Sequence, residues 1–292
     1  MFRFTGTGVA LVTPFDAKGK IDFASLKKLL QHTSKADYYV VMGTTGESAT
    51  LTDSEKRSVL DFVLENNKKA LPVVYGVGGN NTSEVVQRIH DVRDVPVTAI
   101  MSVCPYYNKP SQEGVFRHFS EVADHSHAPV ILYNVPGRTG LNMSAATTIR
   151  LANHNNIIAI KEASGNVEQA IKILADTPDS FKVICGDDML TVPLMSVGAV
   201  GVISVLANAF PSLFSKMTQA ALSGNFKKAG SYQLDFIDIN PLMYEEGNPS
   251  GIKEVLEQMG VVRNFVRLPM VPVSDKLKEK INQVLRNKKL SK

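Results

Sequence analysis

Short apolar runs recur through the first two-thirds of this chain with amphipathic stretches between them, and this alternation limits the possible folds more than any other feature. The strand candidates are Val9–Pro14, Tyr38–Met42, Pro72–Val77, Thr98–Cys104, Val130–Asn134, Ile157–Lys161, Lys182–Cys185 and Gly201–Val205. Between them lie Asp22–His32, Ser54–Asn66, Ser83–Val92, Gln112–His125 and Ser144–Ala152. Their apolar residues recur at helical spacing, and Thr82, Ser111 and Ser144 stand at or beside N-cap positions. Eight strands alternating with helices predict an α/β fold, a parallel sheet closed into a (β/α)8 TIM barrel. Open doubly wound sheets alternate in the same way, but no G-x-G-x-x-G follows the first strand. After about residue 224 the strand pattern stops, and helical segments follow around Phe226–Ile239, Ser250–Met259 and Asp275–Lys288. The expected organisation is a catalytic barrel over residues 1–224 and a C-terminal helical extension over residues 225–292.

The formal charge of +4 invites a nucleic-acid reading, but residues 276–292 alone carry seven Lys/Arg and one Glu, leaving the body at −2. A basic terminal helix on a mildly acidic body does not make a nucleic-acid groove. Cys104 and Cys185 sit in separate apolar runs and read as reduced core residues, not as a disulfide. Met1 to Phe15 lacks the pattern of an export signal. Met189 to Ser215 is free of charge, yet Pro193, Gly198, Gly201 and Pro211 interrupt it. A buried strand with flanking helices explains that segment better than a membrane span. The expectation is a cytoplasmic protein with no membrane or nucleic-acid partner.

Barrel active sites lie at the C-terminal ends of the strands. Lys161 ends an aliphatic run there, Ile157-Ile158-Ala159-Ile160-Lys161, where strongly hydrated ammonium groups are rare. A buried amine is driven towards its neutral form and can attack a carbonyl. The alternative is a lysine just past the strand end that snorkels into water. Tyr133 ends the preceding strand candidate and, at matching parity, would meet Lys161 inside the barrel mouth as a proton shuttle. It reads equally as an aromatic that caps the core. Gly43-Thr44-Thr45-Gly46 joins a strand to a helix and could converge backbone N–H groups and two hydroxyls on an anion. Without a following Gly-Lys-Ser/Thr, a carboxylate suits it better than a triphosphate. Arg138, on the loop after the fifth strand, could hold a second carboxylate or be an ordinary surface residue.

The six histidines fall in helices or in loops that feed strands, on the wrong face for a catalytic metal, so no metal is expected. There is no G-x-S-x-G elbow for a serine hydrolase.

These residues resemble the dihydrodipicolinate synthase family, within the pyruvate-dependent, Schiff-base-forming lyases that include N-acetylneuraminate lyase and 2-keto-3-deoxygluconate aldolase. The resemblance covers nearly the whole chain. It rests on Gly43-Thr44-Thr45-Gly46-Glu47-Ser48-Ala49-Thr50-Leu51, Pro105-Tyr106-Tyr107-Asn108-Lys109-Pro110, Tyr133-Asn134-Val135-Pro136 with Arg138-Thr139-Gly140, and Ile160-Lys161-Glu162-Ala163. The resemblance implies condensation of pyruvate with L-aspartate 4-semialdehyde, on the diaminopimelate route to lysine, with no cofactor beyond the covalent imine. Lys161 would form that imine, Tyr133 would move protons through Thr44 and Tyr107, and Tyr107 would reach in from a neighbouring subunit. Thr45 would bind the pyruvate carboxylate and Arg138 the semialdehyde carboxylate, with backbone groups of Gly186 and Ile203 near the imine. A homotetramer of tight dimers is implied. A pyruvate aldolase of a sugar acid is the nearest alternative, disfavoured by Arg138-Thr139-Gly140; a non-catalytic keto-acid-binding barrel is the other, disfavoured by the Lys161–Tyr133–Thr44 set.

The resemblance also implies a lysine-binding cleft at Ser48, Ala49, Asn80, Glu84 and Tyr106. Position 56, often His in lysine-sensitive relatives, is Lys56, and position 53 is Asp53. A cation at 56 would repel lysine whereas Asp53 and Glu84 would attract it, so weak or absent feedback is expected.

Overall fold

A computed structural model describes residues 4–287; residues 1–3 and 288–292, at the outer ends of the expected barrel and extension, lie outside the described residues. The strands are β1 (Gly6–Ala10), β2 (Tyr38–Val41), β3 (Val73–Gly76), β4 (Ala99–Val103), β5 (Val130–Asn134), β6 (Ile157–Glu162), β7 (Lys182–Cys185) and β8 (Gly201–Ser204). They form a closed parallel barrel in chain order, with β1 pairing to both β2 and β8. The helices around and beyond it are α1 (Phe23–His32), α2 (Asp53–Asn66), α3 (Thr82–His90), α4 (Gln112–Asp124), α5 (Pro136–Thr139) and α6 (Ala145–Leu151). They continue as α7 (Val167–Asp176), α8 (Thr191–Ser196), α9 (Pro211–Leu222), α10 (Phe226–Leu234), α11 (Ser250–Gln258) and α12 (Asp275–Asn287). Among the described residues no strand follows Ser204, and no helix is long and apolar enough to cross a membrane.

The first strand departs from expectation: β1 is Gly6–Ala10, not Val9–Pro14. Its glycines are there for space. A Cβ on Gly8 would lie 2.2 Å from the ring of Tyr38, so only a bare backbone passes that close. The apolar residues Leu11 to Phe15 are buried beyond the strand end, with Leu11 N–H still donating to Val40 O at 3.0 Å. Helix starts follow local chemistry more closely. Ser111 and Ser144 cap α4 and α6, Asn81 caps α3, and Thr52 with Glu55 forms a capping box on α2.

Two apolar layers hold the barrel. The inner one fills the barrel with Tyr38, Val40, Met101, Ile131, Ala159 and Ile184, among others. The outer one lies between strands and helices. Each large buried side chain in them contributes roughly 1.5–3 kcal/mol. One irregularity separates the layers on β6. Val130 pairs with Ile157, but the next residue, Ile131, pairs with Ala159, so Ile158 is the extra residue of a bulge. Ile157 and Ile160 therefore join the outer layer, while Ile158 and Ala159 both pack on the inner one.

Candidate active site

Beyond the bulge the register of β5 and β6 runs without interruption, and it sets Tyr133 opposite Lys161 and Asn134 opposite Glu162. Neighbouring residues of a strand face opposite ways, so these two pairs belong to different layers. Lys161 is 6% exposed and its Nζ lies 4.3 Å from the centroid of the Tyr133 ring. Burial rules out the snorkelling alternative. Among the described residues Lys161 makes no ion pair at contact distance. The ring is its close polar neighbour, a contact that stabilises an ammonium by up to about 2 kcal/mol when desolvated.

Glu162, next in sequence, is turned towards the helices and is fully engaged there. It accepts hydrogen bonds from Ser164 N–H (2.7 Å), Asn134 Nδ2 (3.1 Å) and Gln169 Nε2 (3.1 Å). It therefore braces β5 against β6 and leaves Lys161 without a carboxylate neighbour in the strand. Gly186, after β7, supplies room: a Cβ there would lie 2.6 Å from Ala163 Cβ and 3.1 Å from Lys161 Cε. Ile203 is 1% exposed on β8, in the inner layer.

Asp188 is a buried carboxyl near this group that the sequence reading left out. Its Oδ2 accepts from Val205 N–H (3.2 Å) and Leu206 N–H (2.9 Å). Burial pushes its pKa up to about 6, and the charge of Lys161 pulls the other way. It follows the rim residues Gly186 and Asp187 directly, so carrying the strand-end rule one residue further would have found it.

The turn Thr44–Gly46 is a single 3-10 turn, and its glycines do not take the left-handed conformation. Met42 (φ 63°) and Glu47 (φ 54°) take it instead, on either side of the turn. Non-glycine residues held there cost on the order of 1–3 kcal/mol each, which their surroundings must offset. Gly46 N–H and Glu47 N–H are committed to Gly43 O and Thr44 O, both at 3.0 Å, so the expected nest of free amides does not form from them. The hydroxyls of the turn are further donors for a ligand. Thr45 Oγ1 accepts from Asn248 Nδ2 at 3.1 Å, which leaves its O–H free to donate.

A cavity of about 550 Å³ opens over this end of the barrel, with Thr44, Tyr133 and Arg138 in its wall. Arg138 stands in the last turn of α5 and is exposed. The far end of the same cavity is lined by Ser48, Ala49, Tyr106, Asp53 and Lys56. Asn80 and Glu84 are not among its walls. Lys56 Nζ is paired with Asp53 at 2.8 Å, and Glu84 bonds Asn81 (3.0 Å) and Arg88 (3.4 Å). Tyr107 is 88% exposed, at a φ of 72°, and is not brought to the site within one chain.

His32, His90 and His118 stand on α1, α3 and α4, and His125, His127 and His154 in the connections that lead into β5 and β6. Burial holds His118 well below the usual imidazole range, at about 4. Cys104 and Cys185 are free and buried, and burial pushes the Cys104 thiol up to about 12.

Sequence reading also missed the part that the C-terminal helices play. Asn248, Pro249, Pro269 and Met270 contribute to the cavity wall, and Lys253 of α11 is fully buried against Glu47. The available signal was a lysine in the buried phase of an amphipathic helix, between Ile252 and Val255.

The geometry is thus a lysine and a tyrosine paired across β5 and β6, with Thr44 and Arg138 in the wall of one cavity. Residues 3–288 match the dihydrodipicolinate synthetase family. The 4-hydroxy-tetrahydrodipicolinate synthase of Cytophaga hutchinsonii is 51% identical over 285 residues, covering 97% of this chain and 96% of its own. The structure of a dihydrodipicolinate synthase from Bacillus anthracis superposes with a TM-score of 0.94 at 38% identity, covering 98% of this chain and 99% of its own. A monomeric dihydrodipicolinate synthase variant superposes with a TM-score of 0.96 at 33% identity, covering 99% and 98%. With its closed eight-strand barrel and its match over nearly every residue, the chain belongs to the dihydrodipicolinate synthetase family.

Proposed function

We infer that this chain is a lyase that carries out the 4-hydroxy-tetrahydrodipicolinate synthase reaction, condensing pyruvate with L-aspartate 4-semialdehyde in lysine and diaminopimelate biosynthesis. The carrying observation is the Tyr133–Lys161 register pair at the C-terminal ends of β5 and β6. Lys161 Nζ adds to C2 of pyruvate, and loss of water from the carbinolamine gives the imine. Removal of a C3 proton gives the enamine, whose carbon attacks the aldehyde. The substrate amine then displaces Lys161, closing the ring and freeing the enzyme. The imine is itself the electron sink, so no added cofactor enters these steps.

Tyr133, beside the amine, exchanges the protons that carbinolamine formation and dehydration require, through Thr44. Thr45 donates its hydroxyl proton to the pyruvate carboxylate, and Arg138 receives the semialdehyde carboxylate in a bidentate grip. Gly186 and Ile203 shape the space around the imine. Tyr107, exposed on its own chain, completes the relay from a second subunit, in a homotetramer of tight dimers. Residues 1–224 form the catalytic barrel, residues 225–292 its helical extension, and the enzyme works in the cytoplasm.

The test is borohydride reduction with pyruvate, followed by peptide mass mapping. A pyruvyl adduct on Lys161 is expected; its absence would overturn the mechanism. Turnover of aspartate semialdehyde, compared with N-acetylmannosamine and glyceraldehyde, separates the synthase from sugar-acid aldolases. Lysine feedback through Ser48, Ala49, Asn80, Glu84 and Tyr106 is weak or absent, because Lys56 adds a cation there and Asp53 and Glu84 are already paired. Inhibition by micromolar lysine would overturn that reading.

A further inference from the structure

The turn that carries Thr44 and Thr45 is tied chiefly to residues about 200 positions away in the C-terminal extension. Asn248 Nδ2 donates to Thr45 Oγ1 at 3.1 Å. Lys253 Nζ donates to Glu47 Oε1 and, at 2.7 Å, to Phe265 O. Arg267 N–H donates to Glu47 Oε2 at 3.0 Å, and its guanidinium reaches Thr50 O (3.0 Å) and both oxygens of Glu55. From the barrel side, Thr13 Oγ1 donates to Gly46 O at 2.7 Å.

The ion pair at the centre of these ties is dry: the side chains of Lys253 and Glu47 are 0% and 2% exposed. A pair so deeply buried adds little stability over apolar residues of the same volume, so stability alone does not account for it. Charge-assisted hydrogen bonds do fix direction and distance, which apolar contacts do not. Glu47 is also the left-handed residue that closes the turn, at φ 54°. Both of its carboxylate oxygens are held by the extension, which keeps the turn in its strained form.

We propose that Lys253 and Glu47 are positioning residues for the pyruvate carboxylate: the buried pair, with Asn248 beside it, sets where the Thr44 and Thr45 hydroxyls point. The proposal rests on the reading of Thr45 as the carboxylate donor. On it, the extension acts in catalysis although it places no group on the reacting atoms.

The test begins with wild-type enzyme, borohydride and pyruvate: a missing Lys161 adduct would sink the functional reading and, with it, the positioning role that rests on it. With the adduct in hand, Lys253→Met, Glu47→Gln and the double variant are compared in Tm and in the KM of each substrate. The double variant should regain most of the Tm lost by Lys253→Met, because no unpaired charge stays buried. Its KM for pyruvate should stay raised by at least ~10-fold, while that for the aldehyde moves less than ~2-fold. A pyruvate KM within ~2-fold of wild type in the refolded double variant would show the pair to be structural only. Should the double variant fail to fold, Asn248→Ala decides: a rise of ~3–10-fold in pyruvate KM supports the proposal and an unchanged KM overturns it.

Discussion

Among the described residues two lysines are buried, and their surroundings could hardly differ more. Lys253 is enclosed by a carboxylate and a carbonyl, with the Phe15 ring 4.3 Å from its Nζ. Burial lowers its pKa to about 8 against the upward pull of Glu47. Lys161 has the Tyr133 ring at the same 4.3 Å, but no anion in contact, and its sequence neighbour Glu162 is turned into the helix layer. The first lysine has two of its three N–H donors bonded within the protein. The second, among the described residues, has the Tyr133 ring against its Nζ and no protein anion in contact with it. Burial alone therefore does not make a lysine available to a substrate; burial without an anion in contact leaves it open to one.

The sharpest way to break this contrast is Lys161→Met. Removing the nucleophile should lower kcat by about 10⁵-fold. Thermal melting should show no loss of stability, because no partner is left unpaired. Next comes Lys253→Met, which strands Glu47 in a dry site and should cost about 3–5 kcal/mol in a denaturant titration. If both variants lost stability equally, the two lysines would not differ as described. Tyr133→Phe keeps the ring against Lys161 and removes only the hydroxyl. Steady-state kinetics should show kcat/KM falling about 10²–10³-fold with Tm near wild type.

The smallest effect concerns Asp188, the carboxyl that shares Lys161's end of the barrel. Its folded pKa is raised from 3.8 to about 6, so the folded state binds more protons than the unfolded state between those values. Its contribution is fully present below pH 3.8 and is lost as pH rises through 6, a change of at most about 3 kcal/mol. Asp188→Asn removes that titration. The stability of this variant relative to wild type should therefore climb between pH 4 and pH 7, measured as Tm across buffers.

The barrel was legible because strand and helix periods differ, and β5 and β7 fall where their apolar runs begin and end. β1 was not, because Gly6, Thr7 and Gly8 carry no apolar signal; the two glycines are chosen by the nearness of Asp37 and Tyr38, a fact of tertiary structure. Lys161 and Tyr133 were legible as strand-end residues, and their pairing followed from consecutive strands of a parallel sheet. The Thr44–Thr45 turn was placed correctly, but Gly46 N–H is bonded within it, and Met42 and Glu47, not the glycines, take the left-handed form. The Glu47–Lys253 contact spans 206 residues of sequence, and no local pattern announces a contact of that range.

The bulge at Ile158 has a consequence for how this strand tolerates change in length. With Ile157 anchored in the outer layer, plain alternation would send Ile160 and Glu162 inward and Lys161 out towards the helices. The one supernumerary residue reverses the phase, so in the intact strand the amine faces the cavity end of the barrel. A single-codon deletion at 158 would remove the bulge and leave plain alternation, with Lys161 still opposite Tyr133 and Glu162 still opposite Asn134.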